Sequence, residues 1–204
     1  NVASFEKMKL RMLNGTHSML AYVGFHCGHR YVRDVMNDKV LSNLVNRHLQ
    51  IAAQTLKPIK GIDYNNYAQS LVSRFSNPEI AHETFQIAMD GSEKMQQRIF
   101  YPLKDAISLN LNIRPFAFAI AAWLRHISQS YHDCAPYELR DPIADQLSPL
   151  PKERSAHSIS EYLSRIGLLI DDLKDDKMFW GQVSDILNNM MCKPMKSIVE
   201  QEMI

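Results

Sequence analysis

The sequence predicts an all-α fold, and three observations lead there. Of 204 residues, seven are glycine and nine proline, about 8% of the chain against a usual share near 12%. Turn-rich sandwiches and barrels are therefore disfavoured. Apolar residues make up 46% of the chain and recur at three- and four-residue spacing, the period of a helix with one buried face. No stretch alternates apolar and polar residues long enough to read as a strand. The length suits one large domain or two small ones and is ample for a core. Neither an internal repeat nor a low-complexity tract interrupts it.

The elements follow in order. Residues 5–36 read as helix, with a break at Gly24 or Gly28. Val40 to Leu56 is another, carrying Val40, Leu41, Leu44, Val45, Leu49, Ala52, Ala53 and Leu56 on one side. Lys57-Pro58 and Gly61 punctuate the chain, and Tyr64 to Phe75 forms a short helix. Asn77-Pro78 offers a cap with proline at the first helical position, predicting a helix that runs to Asp90-Gly91. Ser92 can cap the next stretch toward Leu111, in which Pro102 kinks the helix or opens a new one. Pro115 starts the apolar helix Phe116 to Tyr131, the predicted middle of the core. A proline-rich excursion from Cys134 to Pro151 precedes a helix over 157–173 and a last helix through Phe179, Val183, Ile186, Leu187 and Met190.

Charge and cysteine usage exclude several functions. With 23 Lys+Arg against 22 Asp+Glu, the formal net charge is +1, so nothing in the balance calls for nucleic acid or an anionic membrane surface. The longest apolar run, Phe116 to Leu124, is about half of the roughly 20 residues a membrane span needs, and no leader opens the chain. Cys27, Cys134 and Cys192 are an odd number without a C-x-x-C pair, which suits a reducing cytoplasm. The chain opens at Asn1 without an initiator methionine, and its most suggestive polar segment begins within ten residues. It reads as a fragment. No G-x-G occurs, so there is neither a dinucleotide fingerprint nor a phosphate loop.

The segment Glu6 to Ser18 is the most informative. Taking Lys9 as zero, about 100° per residue places Glu6 at about 60°, His17 at about 80° and Asn14 at about 140°. Leu13, Leu20 and Leu10 fall at about 40°, 20° and 100° on the same side, a mixing that an ordinary amphipathic helix avoids. A lysine among leucines loses solvation, which favours the neutral form a general base needs. An asparagine amide can hold a developing alkoxide, and a histidine one turn on can bond a neighbouring hydroxyl. The competing reading is an exposed Glu6–Lys9 pair and a satisfied interhelical His17.

Other constellations carry less. His26-Cys27-Gly28-His29 contains zinc-ligand residue types, but helical neighbours diverge and no second pair follows, so packing is the better account. His132-Asp133-Cys134 reads as a polar loop rather than a nucleophile. The run Asp171 to Lys177 alternates carboxylates with lysines and lacks the glycine of a calcium loop, which leaves a solvated helix end. Lys94 sits close to a helix N-terminus, where the macrodipole disfavours a cation. It is either an ordinary exposed lysine or one held there for a purpose.

The line Lys9-Leu-Arg-Met-Leu-Asn14-Gly-Thr-His17-Ser18-Met-Leu-Ala21-Tyr22 resembles the opening of the C-terminal domain in the mannitol dehydrogenase family of long-chain polyol dehydrogenases. Arg74-Phe-Ser-Asn77-Pro78, Gln86-Ile-Ala-Met-Asp90-Gly91-Ser92-Glu-Lys94 with Gln97-Arg98, and Ala121-Ala-Trp123-Leu-Arg125 agree in order. The likeness runs from residue 6 to about 145; beyond that only helical character is shared. It implies a multi-helix substrate domain over 1–204, of the type found at the C-terminus of 6-phosphogluconate dehydrogenase. An N-terminal Rossmann domain, absent from this chain, would be its partner and would bind most of the NAD; no metal is implied.

By the same resemblance Lys9 is the catalytic acid/base, Asn14 holds the reacting oxygen, His17 bonds the substrate, and Glu6 takes part in proton movement. Lys94 reaches the substrate's distal part, and Gln86 and Arg74 are implied as further substrate-binding residues. Gln86, where many polyol dehydrogenases carry Arg, resembles the fructuronate reductase branch and points to D-fructuronate and D-mannonate. Mannitol 2-dehydrogenase and tagaturonate reductase are the alternatives. Met95-Gln96 departs from that branch, where Leu-Pro is frequent. A self-contained helical interaction domain and a metal-dependent hydrolase are the readings from other classes.

Overall fold

At the centre lies the helix Arg114–Ile127, buried without interruption from Pro115 to Ile127. The computed structural model describes residues 2–129 and 135–204. Its elements are α1 Val2–Met8, α2 Thr16–His26, α3 Val32–Asn37, α4 Lys39–Gln54, α5 Tyr64–Phe75, α6 Thr84–Ala88, α7 Gly91–Met95, α8 Tyr101–Ser108, α9 Arg114–Ile127, α10 Ala144–Leu147, α11 Ala156–Arg165, α12 Lys177–Cys192 and α13 Met195–Glu202. Two segments wound as π-helix, Lys9–Gly15 and Gln96–Phe100, join α1 to α2 and α7 to α8. No strand occurs among the described residues, and none of their helices is long and apolar enough to cross a membrane.

The α9 helix starts where Pro115 occupies the first turn and the Asn112 side chain accepts Arg114 N–H at 3.0 Å. A missing N–H is harmless there. Helices α12 and α2 pack along α9, enclosing Trp123, Trp180, Phe116, Phe118 and Tyr22 with almost no exposed surface. Deleting an aromatic side chain from such a site costs about 3–5 kcal/mol. The helix ends at Ile127 rather than Tyr131, because Gln129 turns left-handed with φ 52°. The last helix, α13, is docked by Glu202, whose carboxylate receives Arg47 and Arg114 at 2.8 Å each.

Several boundaries differ from the periodic reading. The first helix breaks at Gly28, not Gly24; Gly28 has φ +82°, a conformation that glycine alone takes without strain. Asn77-Pro78 starts a turn and no helix, with the Asn77 side chain accepting the Glu79 N–H at 2.9 Å. The chain then runs extended and bridges Tyr31 to Glu83, with Val32 N–H donating to His82 O and Thr84 N–H to Arg30 O. A helix from residue 78 would forfeit those contacts, so α6 begins only at Thr84.

Ser92 is not a cap. Asp90 precedes α7 in a left-handed conformation, φ 54°, and the Asp141 carboxylate accepts both Ser92 N–H (2.9 Å) and Ser92 Oγ–H (2.5 Å). A residue from the proline-rich excursion thus supplies the cap. The helix predicted over 157–173 stops at Arg165. The acidic run that follows is not a helix end: Asp171–Leu173 form a 3₁₀ turn, and Asp176 caps the start of α12 by accepting Phe179 N–H at 2.9 Å. Lys193-Pro194 closes α12, and α13 is an element the periodic reading omits.

Candidate active site

The π-winding of Lys9–Gly15 decides what the site presents. A π-turn bonds residue i to i+5, so residues five apart lie on successive turns. Lys9 and Asn14 are five apart and are drawn toward one side, where an α-helix would set them about 140° apart. His17 stands three residues past Asn14 on α2, the next turn along. Lys9 is exposed and Asn14 and His17 half-buried, whereas Arg11, Met12, Leu13, Gly15, Thr16, Ser18 and Leu20 are all buried.

The mixed face inferred at 100° per residue is therefore resolved: Leu13 and Leu20 turn to the core and the polar groups away from it. Lys9 is accordingly not desolvated among leucines in this chain. Glu6, three residues before Lys9, is exposed on α1. Among the described residues, the side chains of Glu6, Lys9 and Asn14 have no hydrogen-bond partner.

The second π-segment has a cause legible in the chain. In an α-helix the carbonyl of Arg98 would receive the N–H of residue 102, but that residue is proline, which lacks the N–H and crowds the carbonyl four residues back. The winding loosens over Gln96–Phe100, closing with Tyr101 N–H on Gln96 O. The displaced Arg98 carbonyl faces Gly15: a Cβ built there would lie 2.6 Å from that oxygen. On its side-chain end, Arg98 Nη1 donates to the Oγ of fully buried Ser18 at 3.0 Å. Burial lowers the Arg98 pKa, opposed by Tyr22 nearby. The two π-segments meet at this point.

His17 stacks on Phe75, centroids 4.9 Å apart and planes 16° apart, and tilts toward His82 at 5.8 Å. Burial first, then the charges of His82, Arg98 and Arg74, bring its pKa to about 4, so the ring is neutral at physiological pH. Its Nε2 is buried without a hydrogen-bond partner among the described residues. Beside it is a cavity about the size of one water molecule, lined by His17, Val32, Arg74, Phe75, Ile80 and His82.

Lys94 does not suffer at its helix N-terminus, because the ammonium reaches back. It donates to Met89 O at 2.5 Å, approaches Ile87 O at 3.5 Å and lies 3.7 Å from Asp90. Those carbonyls follow the end of α6, where a cation is favoured. Burial lowers its pKa, with the Arg98 charge adding to the effect and Asp90 opposing it.

The structure thus brings Lys9, Asn14 and His17 onto successive turns, joins Arg74 to His17 through the cavity, and places Lys94 within the field of Arg98. Gln86 is exposed on α6, and Glu6 contributes to a surface groove with Lys7, Arg11 and Lys104. Periodicity alone missed Arg98, Ser18 and His82. The signal for Arg98 was present in Pro102, four residues on; His82 had none, since its position depends on the distant bridge to Tyr31.

Of the weaker motifs, His26 packs against the rings of Phe25, His126 and Tyr137. No three His, Cys, Asp or Glu side chains converge as metal ligands among the described residues. His132-Asp133-Cys134 lies outside the described residues.

Residues 1–191 match the model of the mannitol dehydrogenase C-terminal domain, and the chain belongs to that family. It is 35% identical over 186 residues to D-mannonate oxidoreductase of Escherichia coli (strain K12), covering 90% of this chain and 38% of that protein. It is 33% identical over 190 residues to mannitol 2-dehydrogenase of Aspergillus fumigatus (strain CBS 144.89 / FGSC A1163 / CEA10), covering 93% and 38%.

Among solved structures, mannitol 2-dehydrogenase of Pseudomonas fluorescens, in a ternary complex with NAD and D-mannitol, superposes with a TM-score of 0.90. That match has 25% identity and covers 99% of this chain and 41% of the other. The chain therefore spans about two-fifths of the length of these relatives.

Proposed function

We infer that this chain is the helical, substrate-side part of an NAD-dependent dehydrogenase that interconverts a keto sugar acid and its alcohol, with D-fructuronate and D-mannonate the favoured pair. The observation that carries the reading is the π-segment that draws Lys9 and Asn14 toward one side, both with side chains that have no hydrogen-bond partner among the described residues. An amide and an ammonium on adjoining turns can serve one oxygen, the first as a fixed hydrogen-bond donor and the second as a proton donor.

Reduction of the carbonyl generates an alkoxide. Asn14 holds that oxygen and protonated Lys9 gives it a proton; in the reverse direction neutral Lys9 removes the hydroxyl proton first. Glu6, one turn before Lys9, is positioned to pass the proton on. Neutral His17 bonds an adjacent hydroxyl without adding charge. Lys94 is assigned to the distal part of the substrate, Arg74 and Gln86 to substrate binding, and Gln86 favours the sugar-acid branch.

NAD, which supplies or accepts the hydride when bound, is assigned to a separate N-terminal Rossmann domain. On this reading the chain by itself turns over no substrate.

The test uses the full-length enzyme. Lys9→Ala is expected to lower kcat by about 10²–10⁴-fold, the usual contribution of a positioned acid/base. Near-normal turnover with an unchanged pH dependence would remove Lys9 from the role. Steady-state rates on D-fructuronate, D-tagaturonate, D-fructose and D-mannonate with NAD(H) and NADP(H) separate the substrates, and a preference for D-fructose would make the enzyme a mannitol 2-dehydrogenase.

A further inference from the structure

We propose that Arg98 is a positioning residue for the reaction, fixing the chain from Gly15 to Ser18, where the π-segment of Lys9–Gly15 runs into α2, and so setting Asn14 and His17. The inference rests on the roles given to those two residues above. Arg98 reaches this stretch at two points. Its carbonyl, released by Pro102, sits where a Cβ at residue 15 would lie 2.6 Å away, so only glycine leaves room for it. Its guanidinium bonds Ser18 Oγ, on α2, at 3.0 Å. Gly15 directly follows Asn14, and residues 15 and 18 bracket His17.

Without Arg98 the start of α2 would be free at both points, and Asn14 and His17 with it. The guanidinium also lies near enough to His17 and Lys94 to lower the pKa of each. Arg98 therefore stands among the groups assigned to the substrate while acting through Ser18 and Gly15. The clamp is long-range: it links the chain at residue 98 to residues 15–18.

The experiment compares Arg98→Ala, Ser18→Ala and Lys9→Ala in the full-length enzyme, measuring kcat and KM for sugar and cofactor, with thermal melts to report folding. If Arg98 positions Asn14 and His17, Arg98→Ala lowers kcat on the order of 100-fold, the cost of a displacement near 1 Å at reacting groups. KM for both substrates stays within about twofold, since uniform binding is untouched. Added guanidinium ion restores part of kcat in Arg98→Ala and none in Lys9→Ala. Ser18→Ala, which removes one oxygen from a helix and keeps Arg98, lowers kcat in the same sense by roughly tenfold.

Unchanged kcat in both variants, a loss confined to KM, or a loss that tracks only the unfolded fraction would overturn the proposal. A fully active Lys9→Ala enzyme overturns the underlying acid/base reading. An inactive Lys9→Ala beside normal Arg98 and Ser18 variants overturns this inference alone.

Discussion

Replacing Gly15 by alanine tests the contact between the two π-segments with a single methyl group. Gly15 has φ −65° and ψ −48°, which alanine adopts freely, and in an unobstructed helix interior the exchange stabilises by about 1 kcal/mol. Here the new Cβ lies 2.6 Å from the Arg98 carbonyl oxygen, with the carbonyl carbon at 3.6 Å. The obstacle is backbone, so no side-chain rotation relieves it. Overpacking of this kind costs about 1–3 kcal/mol and occasionally more.

The clash offsets the propensity gain and leaves a net loss of up to about 2 kcal/mol. For a protein of this size that is a melting temperature lower by up to roughly 4–8 °C. Gly181 supplies the control: it lies inside α12, and a Cβ there meets nothing within 4 Å. Gly181→Ala should therefore raise stability by about 0.5–1 kcal/mol. Chemical denaturation of the two variants beside the wild type gives the comparison directly. If Gly15→Ala proves as stabilising as Gly181→Ala, the two π-segments do not meet as described.

Acid should destabilise the protein through its buried histidines. Burial, then the Arg47 charge, opposed by the Pro115 backbone, holds His48 at about 4 against 6.5 in the unfolded chain, and burial holds His126 at about 3. A depressed histidine pKa means the unfolded state binds the proton first. The contribution is complete above pH 6.5 and is lost as pH falls toward 4, at up to about 1.4 kcal/mol per pH unit for each such group. His48→Leu should flatten that slope in denaturation curves taken between pH 7 and 4; an unaltered slope would show that His48 is not held neutral.

Glu202→Ala removes the acceptor of both Arg47 and Arg114 and should cost about 1.5–3 kcal/mol, the range for hydrogen bonds to charged groups. Hydrogen exchange should localise the loss to α13, and protection there equal to wild type would refute the docking role.

Two helix starts with a local cap were legible in the sequence. Asp38 accepts Val40 N–H at 2.9 Å and Asp63 accepts Asn65 N–H at 2.7 Å, so α4 and α5 begin close to where the apolar period and the breakers place them. The unbroken burial of α9 follows from its composition in the same way. Boundaries fixed at a distance were not legible. Residues 77–83 look like a capped helix, yet they answer to Arg30–Val32 across the fold; α7 is capped from Asp141, not from Ser92.

The missed helix α13 is different, since Met195, Ile198 and Val199 show helical spacing after Lys193-Pro194 and could have been read. At the site, residue types singled out Lys9, Asn14 and His17. Their alignment was not readable, because a fixed 100° step has no place for a π-turn. Lys94 reverses the usual inference: its backbone position looked unfavourable, and its side chain answers by reaching the carbonyls that close α6.

The surplus residue in the first π-segment also governs how the start of the chain leaves the body of the protein. Removing one residue between Lys9 and Gly15 would let every backbone N–H find an ordinary i−4 partner, which for hydrogen bonding alone is an improvement. It would also turn α1 by about 100° and draw it in by about 1.5 Å relative to α2. Lys7 would leave Asp105, Glu6 would face a different quarter, and whatever precedes Val2 would set out in a new direction. A deletion that perfects the helix would thus misdirect everything attached to its front end.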